Sequence, residues 1–159
     1  MATAYVVVNL TPAEMMMAAQ AGIMRHVENI KEDTDGTYGV FQPSNWQIHI
    51  EGALGEFALA KFLNLWWSGK GMKDAPDVDT YDARTAESDD RRLILHPRDK
   101  DERIVFFLTG RNGSYKVRGW IKGEDGKKQK YWADPNTGRP AFFVPVSDLN
   151  ELSDFKKPA

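Results

Sequence analysis

Apolar residues recur three and four apart along residues 12–32, where Met15, Ala18, Ala19, Gly22, Ile23, Val27 and Ile30 keep the spacing of one helix face. Thr11-Pro12-Ala13-Glu14 supplies the start: Thr at the N-cap, Pro at the first helical position and Glu three after the cap. The pattern predicts a helix over 11–32, with Met15-Met16-Met17 as ordinary core or a contact with a partner helix before a flexible binding surface. Residues 4–10 alternate weakly and predict a short strand ahead of it. Asp33-Thr34-Asp35-Gly36-Thr37 then reads as a turn, and Val40 and Phe41 as packing residues. A second capping box, Ser44-Asn45-Trp46-Gln47, opens a helix over 45–66 whose stripe is Trp46, Ile50, Ala53, Leu54, Phe57, Ala58, Phe62 and Leu65. Gly52 and Gly55 each cost that helix roughly 1 kcal/mol against Ala, which close approach to a sheet would offset.

Beyond residue 66 the period changes. Trp66 to Ala75 is irregular, a loop with Trp66 and Trp67 as half-buried anchors. A strand follows to Thr85, and Arg91–His96 is expected to return antiparallel to it. Residues 103–109 are apolar on both faces, as in an interior strand. After a hairpin-like turn at 110–113, Tyr115, Val117, Gly119 and Ile121 alternate with Lys116, Arg118, Trp120 and Lys122, which gathers three cations and an indole on one face. A poor helix or loop at 124–132, a turn at 134–138, a strand at 141–145 and a short capped helix at 147–152 complete the chain, with a fraying tail. This order of elements is α+β: a mixed, mostly antiparallel central sheet flanked by helices, in a single domain over 1–159.

Composition narrows the chemistry. At 159 residues and 42% hydrophobic the chain can bury one substantial core. No run approaches the roughly 18 apolar residues needed to span a bilayer. The start of the chain lacks the basic and apolar regions of a signal peptide, so a cytoplasmic protein with no membrane partner is expected. With no Cys, thiolate metal sites and Cys nucleophiles are excluded, and His26, His49 and His96 are too scattered for a His-based zinc site. Oxygen ligands remain, which suit Mg²⁺ or Mn²⁺. The net charge of −2 is not that of a protein that coats nucleic acid. Its distribution is uneven, however: residues 1–56 carry seven acids and two bases, and residues 111–139 eight bases and three acids. That basic segment suits a phosphodiester partner, with a solvated strand-and-loop face as the alternative.

The stretch that concentrates chemistry is Ala75 to Thr85, containing Asp77, Asp82 and Arg84. Asp82 and Arg84, two apart, share a strand face, and a turn or bulge at Asp79-Thr80 would bring Asp77 round to them. Pro76-Asp77 followed after four residues by Asp82-Ala83-Arg84 resembles the signature of the PD-(D/E)XK nuclease-like superfamily, with Arg84 where that family usually has Lys. Gly52 to Lys61 is similar to the family's first core helix, whose Glu, here Glu56, commonly joins the metal site. The two pieces cover roughly 35 of 159 residues.

The resemblance implies a restriction-endonuclease-like core over about 44–145 and a metal-dependent nuclease acting on nucleic acid, with DNA the leading candidate. Asp77, Asp82, Glu56 and the Ala83 carbonyl would hold Mg²⁺ or Mn²⁺, and Arg84 would face the scissile phosphate. Lys116, Arg118, Trp120 and Lys122 would contact the nucleic acid. Small stand-alone proteins of this kind often come from phages, which would place the chain in a host-cell cytoplasm. An oligomer is compatible with the pattern. A guanidinium stays charged and cannot serve as a general base, so a catalytically silent fold that binds nucleic acid or a protein remains the alternative. A purely structural domain is the third. No Gly-rich phosphate loop or Ser elbow points to a nucleotide cofactor or a covalent nucleophile.

Overall fold

The computed structural model describes residues 4–32, 45–71, 75–135 and 137–159. Strand β1 (Val6–Asn9) leads into α1 (Pro12–Lys31) through the predicted capping box: Thr11 Oγ1 accepts the Glu14 N–H at 3.2 Å, and Glu14 Oε1 accepts the Thr11 N–H at 3.3 Å. Helix α2 (Asn45–Leu63) packs along α1. Gly22 makes that packing close, since a Cβ there would lie 2.6 Å from the His49 carbonyl oxygen. The helix ends at Asn64 in the left-handed region (φ 57), where the Leu65 N–H bonds back to the Ala60 carbonyl at 2.9 Å. The predicted turn at 33–37, Val40, Phe41 and the Ser44 cap lie outside the described residues.

The remaining elements are β2 (Tyr81–Ala86), β3 (Leu93–Leu95), β4 (Ile104–Arg111), β5 (Ser114–Lys122), the single turn α3 (Gly123–Gly126), β6 (Trp132–Ala133) and β7 (Ala141–Val144). Among the described residues they form a four-stranded sheet, β1-β5-β4-β2, and a three-stranded sheet, β3-β7-β6. In the first, β1/β5 and β5/β4 are antiparallel and β4/β2 parallel, which makes it mixed and mostly antiparallel as expected. The β4–β5 hairpin turns at Asn112 and Gly113, both at positive φ, the geometry that matches strand twist.

Two hydrophobic clusters cover the faces of the larger sheet. Phe106, Leu108, Tyr115 and Val117 pack under the helices with Ala18, Leu54, Ala58 and Leu63. Val105, Phe107 and Ile121 face the other way, against Leu93, Leu95, Val144 and Tyr131. Residues 104–108 are therefore apolar on both faces because helices lie on one side and the small sheet on the other. No helix among the described residues is long and apolar enough to cross a membrane.

Three expectations are corrected. Residues 93–95 do not return beside β2; they pair with β7 in the second sheet, because covering Val105 and Phe107 buries Leu93 and Leu95 completely. The segment at 147–152 is no helix: Asn150 exchanges backbone hydrogen bonds with Trp120 (2.8 and 3.2 Å), which holds it extended between 3₁₀ turns at Val146–Asp148 and Leu152–Asp154. In α1, Met15, Ala18, Ala19 and Gly22 do turn inward, but Ile23, Val27 and Ile30 point to solvent with Met16, Met17 and Met24. Body contact needs only the small-residue face, because Gly22 brings the two helix backbones together.

Candidate functional site

The outer edge of β2 is built by a tight turn. Val78 and Tyr81 exchange backbone hydrogen bonds (3.0 and 2.8 Å) and Asp79 adopts φ 52, so Asp79-Thr80 is the turn that the strand periodicity required. It folds Asp77 back along the strand, and Asp77 Oδ2 accepts the Ala83 N–H at 2.9 Å. Because β2 is the last strand of its sheet, this carboxylate takes the place of a neighbouring strand.

Register fixes which way the other groups face. Asp82 pairs with Val105 and Arg84 with Phe107, both in the cluster under the small sheet, so Asp82 and Arg84 share that face. There Asp82 Oδ1 accepts from Arg103 Nη1 at 2.8 Å, with the two side chains only 13% and 11% exposed. Arg84 Nη2 donates to Asp99 Oδ1 at 3.0 Å, its Nη1 to the Ala83 carbonyl at 3.3 Å, and Nη1 lies 3.9 Å from Asp77 Oδ2. Arg84 therefore ties Asp99 to the strand edge where Asp77 sits.

Ala83 and Thr85 face the helices. Gly55 of α2 lies so close that a Cβ would come within 2.0 Å of Thr85 Oγ1, which accounts for this glycine. Gly52 has nothing within 4 Å of its would-be Cβ, so the close-approach explanation fails for it. The approach of Gly55 buries Glu56 on the helix side of the sheet. Arg25 Nη1 and Nη2 donate to Glu56 Oε1 and Oε2, both at 2.8 Å, and Trp67 Nε1 donates to Oε2 at 3.2 Å. Trp67 is thus an anchor, whereas Trp66 is 85% exposed, against expectation, beyond the end of α2. Burial works against the Arg25 charge, but its bond to Glu56 holds its pKa above the usual value.

Asp77 sits at the edge between these two faces. Burial pushes its pKa up to about 7, the charge of Glu56 adds to the rise, the Ala83 N–H opposes it, Asp82 adds again and Arg84 opposes. The three predicted acids therefore interact through Asp77, yet Glu56 and Asp82 are each claimed by an arginine. Among the described residues no three His, Asp or Glu gather closely enough to hold a metal ion. Mg²⁺ typically needs fewer: one or two carboxylates, with water and substrate oxygens in the other positions. Asp77, before the turn, and Asp82 and the Ala83 carbonyl on β2 are oxygen donors of that type, with Asp77 Oδ2 accepting the Ala83 N–H and Asp82 Oδ1 paired with Arg103. In donor type, all oxygen, the set matches what Mg²⁺ or Mn²⁺ takes.

The cations of β5 are charge-compensated. Lys116 Nζ lies 2.5 Å and Arg118 Nη1 3.2 Å from Asp89, and Lys122 Nζ 2.6 Å from Glu124 Oε1. The Trp120 indole donates to the Glu151 carbonyl at 3.1 Å and stacks edge-on against Phe155. The four do not share a face as expected: the register shift between Phe107 and Leu108 puts Trp120 and Lys122, opposite Phe106 and Ile104, on the helix side, while Lys116 and Arg118 stay with Asp89 on the other side, each cation beside an acid.

Sequence inspection missed Arg25, Arg103, Asp99 and Trp67 as site residues. Arg25 carried a signal: it lies three residues beyond Gly22 and seven beyond Ala18, on the helix face that meets α2. Arg103 and Asp99 carried none that strand periodicity reveals. No family model, curated protein or solved structure matches the chain.

Proposed function

We propose that the chain is a divalent-metal-dependent nuclease with a restriction-endonuclease-like core, hydrolysing phosphodiester bonds of nucleic acid, with DNA the leading substrate, at the outer edge of β2. The observation that carries this is the placing of Asp77: the turn at Asp79-Thr80 folds its carboxylate onto the Ala83 N–H at 2.9 Å with Arg84 3.9 Å away, and burial first, then the charges of Glu56 and Asp82, raise it to about 7. Asp77 and Asp82 would hold Mg²⁺ or Mn²⁺ with the Ala83 carbonyl. A bound ion would supply charge stabilisation at the phosphoryl oxygens and an acidified water. Arg84, anchored by Asp99 and permanently charged, orients and neutralises the scissile phosphate and takes no proton. Glu56, held by Arg25 and Trp67, acts on the site through its charge on Asp77.

One observation favours a second reading. Arg103 pairs with Asp82 in a largely buried contact, so a ligand at Asp82 must displace or share it. A fold in which that pair persists would bind nucleic acid or a protein without cleaving. Incubation of plasmid, linear and single-stranded DNA with Mg²⁺ or Mn²⁺ separates the two. Cleavage that falls at least about 100-fold in Asp77→Asn and Asp82→Asn supports the nuclease. Salt-sensitive binding without product supports the silent fold.

A further inference from the structure

Helix α1 is apolar on both sides, and among the described residues only one side has a partner. Met16, Met17, Ile23, Met24, Val27 and Ile30 all lie on the outward face, with Met16 66%, Met24 63% and Ile30 55% exposed. A surface helix normally turns charged or polar residues outward. Contiguous apolar surface of several hundred Å² on a soluble chain marks an interaction site.

The spacing identifies what fits there. From Met16 through Gln20, Ile23 and Val27 to Ile30 the steps are four, three, four and three residues, the seam of a two-helix coiled coil, flanked on one side by Met17 and Met24. Gln20, the polar residue within the seam, can both donate to and accept from an identical Gln. A single polar residue at such a position sets register in helix pairs. We propose that this face of α1 is the interface of a homodimer, in which α1 of a second copy packs across a two-fold axis. A self-complementary stripe requires only an identical stripe to bury it, and a two-fold contact provides one. Six outward side chains per copy, with Trp46 of α2 in ring contact with His26 at the end of the stripe, would form the apolar centre of such an interface. Charge argues against a lipid surface as the occupant: the exposed ionisable residues beside the stripe's end are Glu28, Lys31 and Glu32, not the Lys/Arg-rich margin that an interfacial helix carries.

Light scattering on the eluting 159-residue chain tests this at about 100 µM, a concentration above the dissociation constants of most specific dimers of this size. Twice the mass of one chain is expected. Ile23→Glu with Met24→Glu replaces two outward side chains, so the thermal midpoint of the monomer should hold, while dimer dissociation should weaken at least about 100-fold. Because the chain has no Cys, Ile23→Cys should give a disulfide-linked dimer under mild oxidation, whereas Ser147→Cys, exposed on a 3₁₀ turn, should not. A wild type that elutes as a monomer, or a dimer unmoved by the double variant, overturns the proposal.

Discussion

Arg25 and Glu56, 31 residues apart, close a two-pronged ion pair at 2.8 Å on each prong, with side chains only 16% and 11% exposed. The pair joins the two helices at the level of β2. It also fixes Glu56 near Asp77, and the charge of Glu56 is, after burial, one of the causes that raise the Asp77 pKa.

Removing either partner strands a largely buried charge, which typically costs about 3 kcal/mol or more. Arg25→Met and Glu56→Leu should each lower stability by about that amount. Arg25→Met with Glu56→Leu should cost much less than their sum. Urea unfolding of the four proteins checks this as a double-mutant cycle.

Asp77 predicts an unusual pH dependence. Its folded pKa, about 7, lies above its unfolded value near 4, so the native state holds the extra proton between them. Stability from this group is full below about pH 4 and is lost as pH rises through about 7. The shift corresponds to an upper limit on the order of 4 kcal/mol, less whatever the partial exposure of Asp77 screens. Denaturant midpoints in metal-free buffer should fall from pH 5 to pH 8, and Asp77→Asn should flatten the slope. A wild-type curve that rises across that interval contradicts the assignment.

The glycines of α2 divide by the space around them. Gly52→Ala meets nothing within 4 Å and should stabilise by up to about 1 kcal/mol through helix propensity alone. Gly55→Ala drives a methyl into Thr85 and should destabilise by roughly 1–3 kcal/mol, relieved in part by Thr85→Ala. Thermal unfolding of the three variants resolves both signs.

Local patterns in the sequence were read correctly wherever one element decides the outcome. The Thr11–Glu14 cap and the turn at Asp79-Thr80 depend on neighbours a few residues away, whereas the alternation along β5 breaks at a bulge set by its pairing with β4, which turns Ile121 to the face opposite Val117. What escaped is non-local. Whether residues 93–95 pair with β2 or with β7 is settled by which apolar face needs covering, and both partners share the same strand pattern. The outward turn of Ile23, Val27 and Ile30 was hidden for a related reason: a helix with apolar residues on two faces gives no sign of which one meets the body. Asp77, Asp82 and Glu56 were legible as acids, but not the arginines that pair with two of them, since ion pairs 21 and 31 residues apart leave no periodicity.

The account turns on whether the β2 edge takes a divalent ion through Asp77 and Asp82. Calorimetric titration of the full chain with Mn²⁺ at pH 7 measures this directly. Saturable binding near one ion per chain, lost in Asp77→Asn and in Asp82→Asn while both variants stay folded, is the predicted result. No binding by the wild type, or binding that both variants retain, would contradict it.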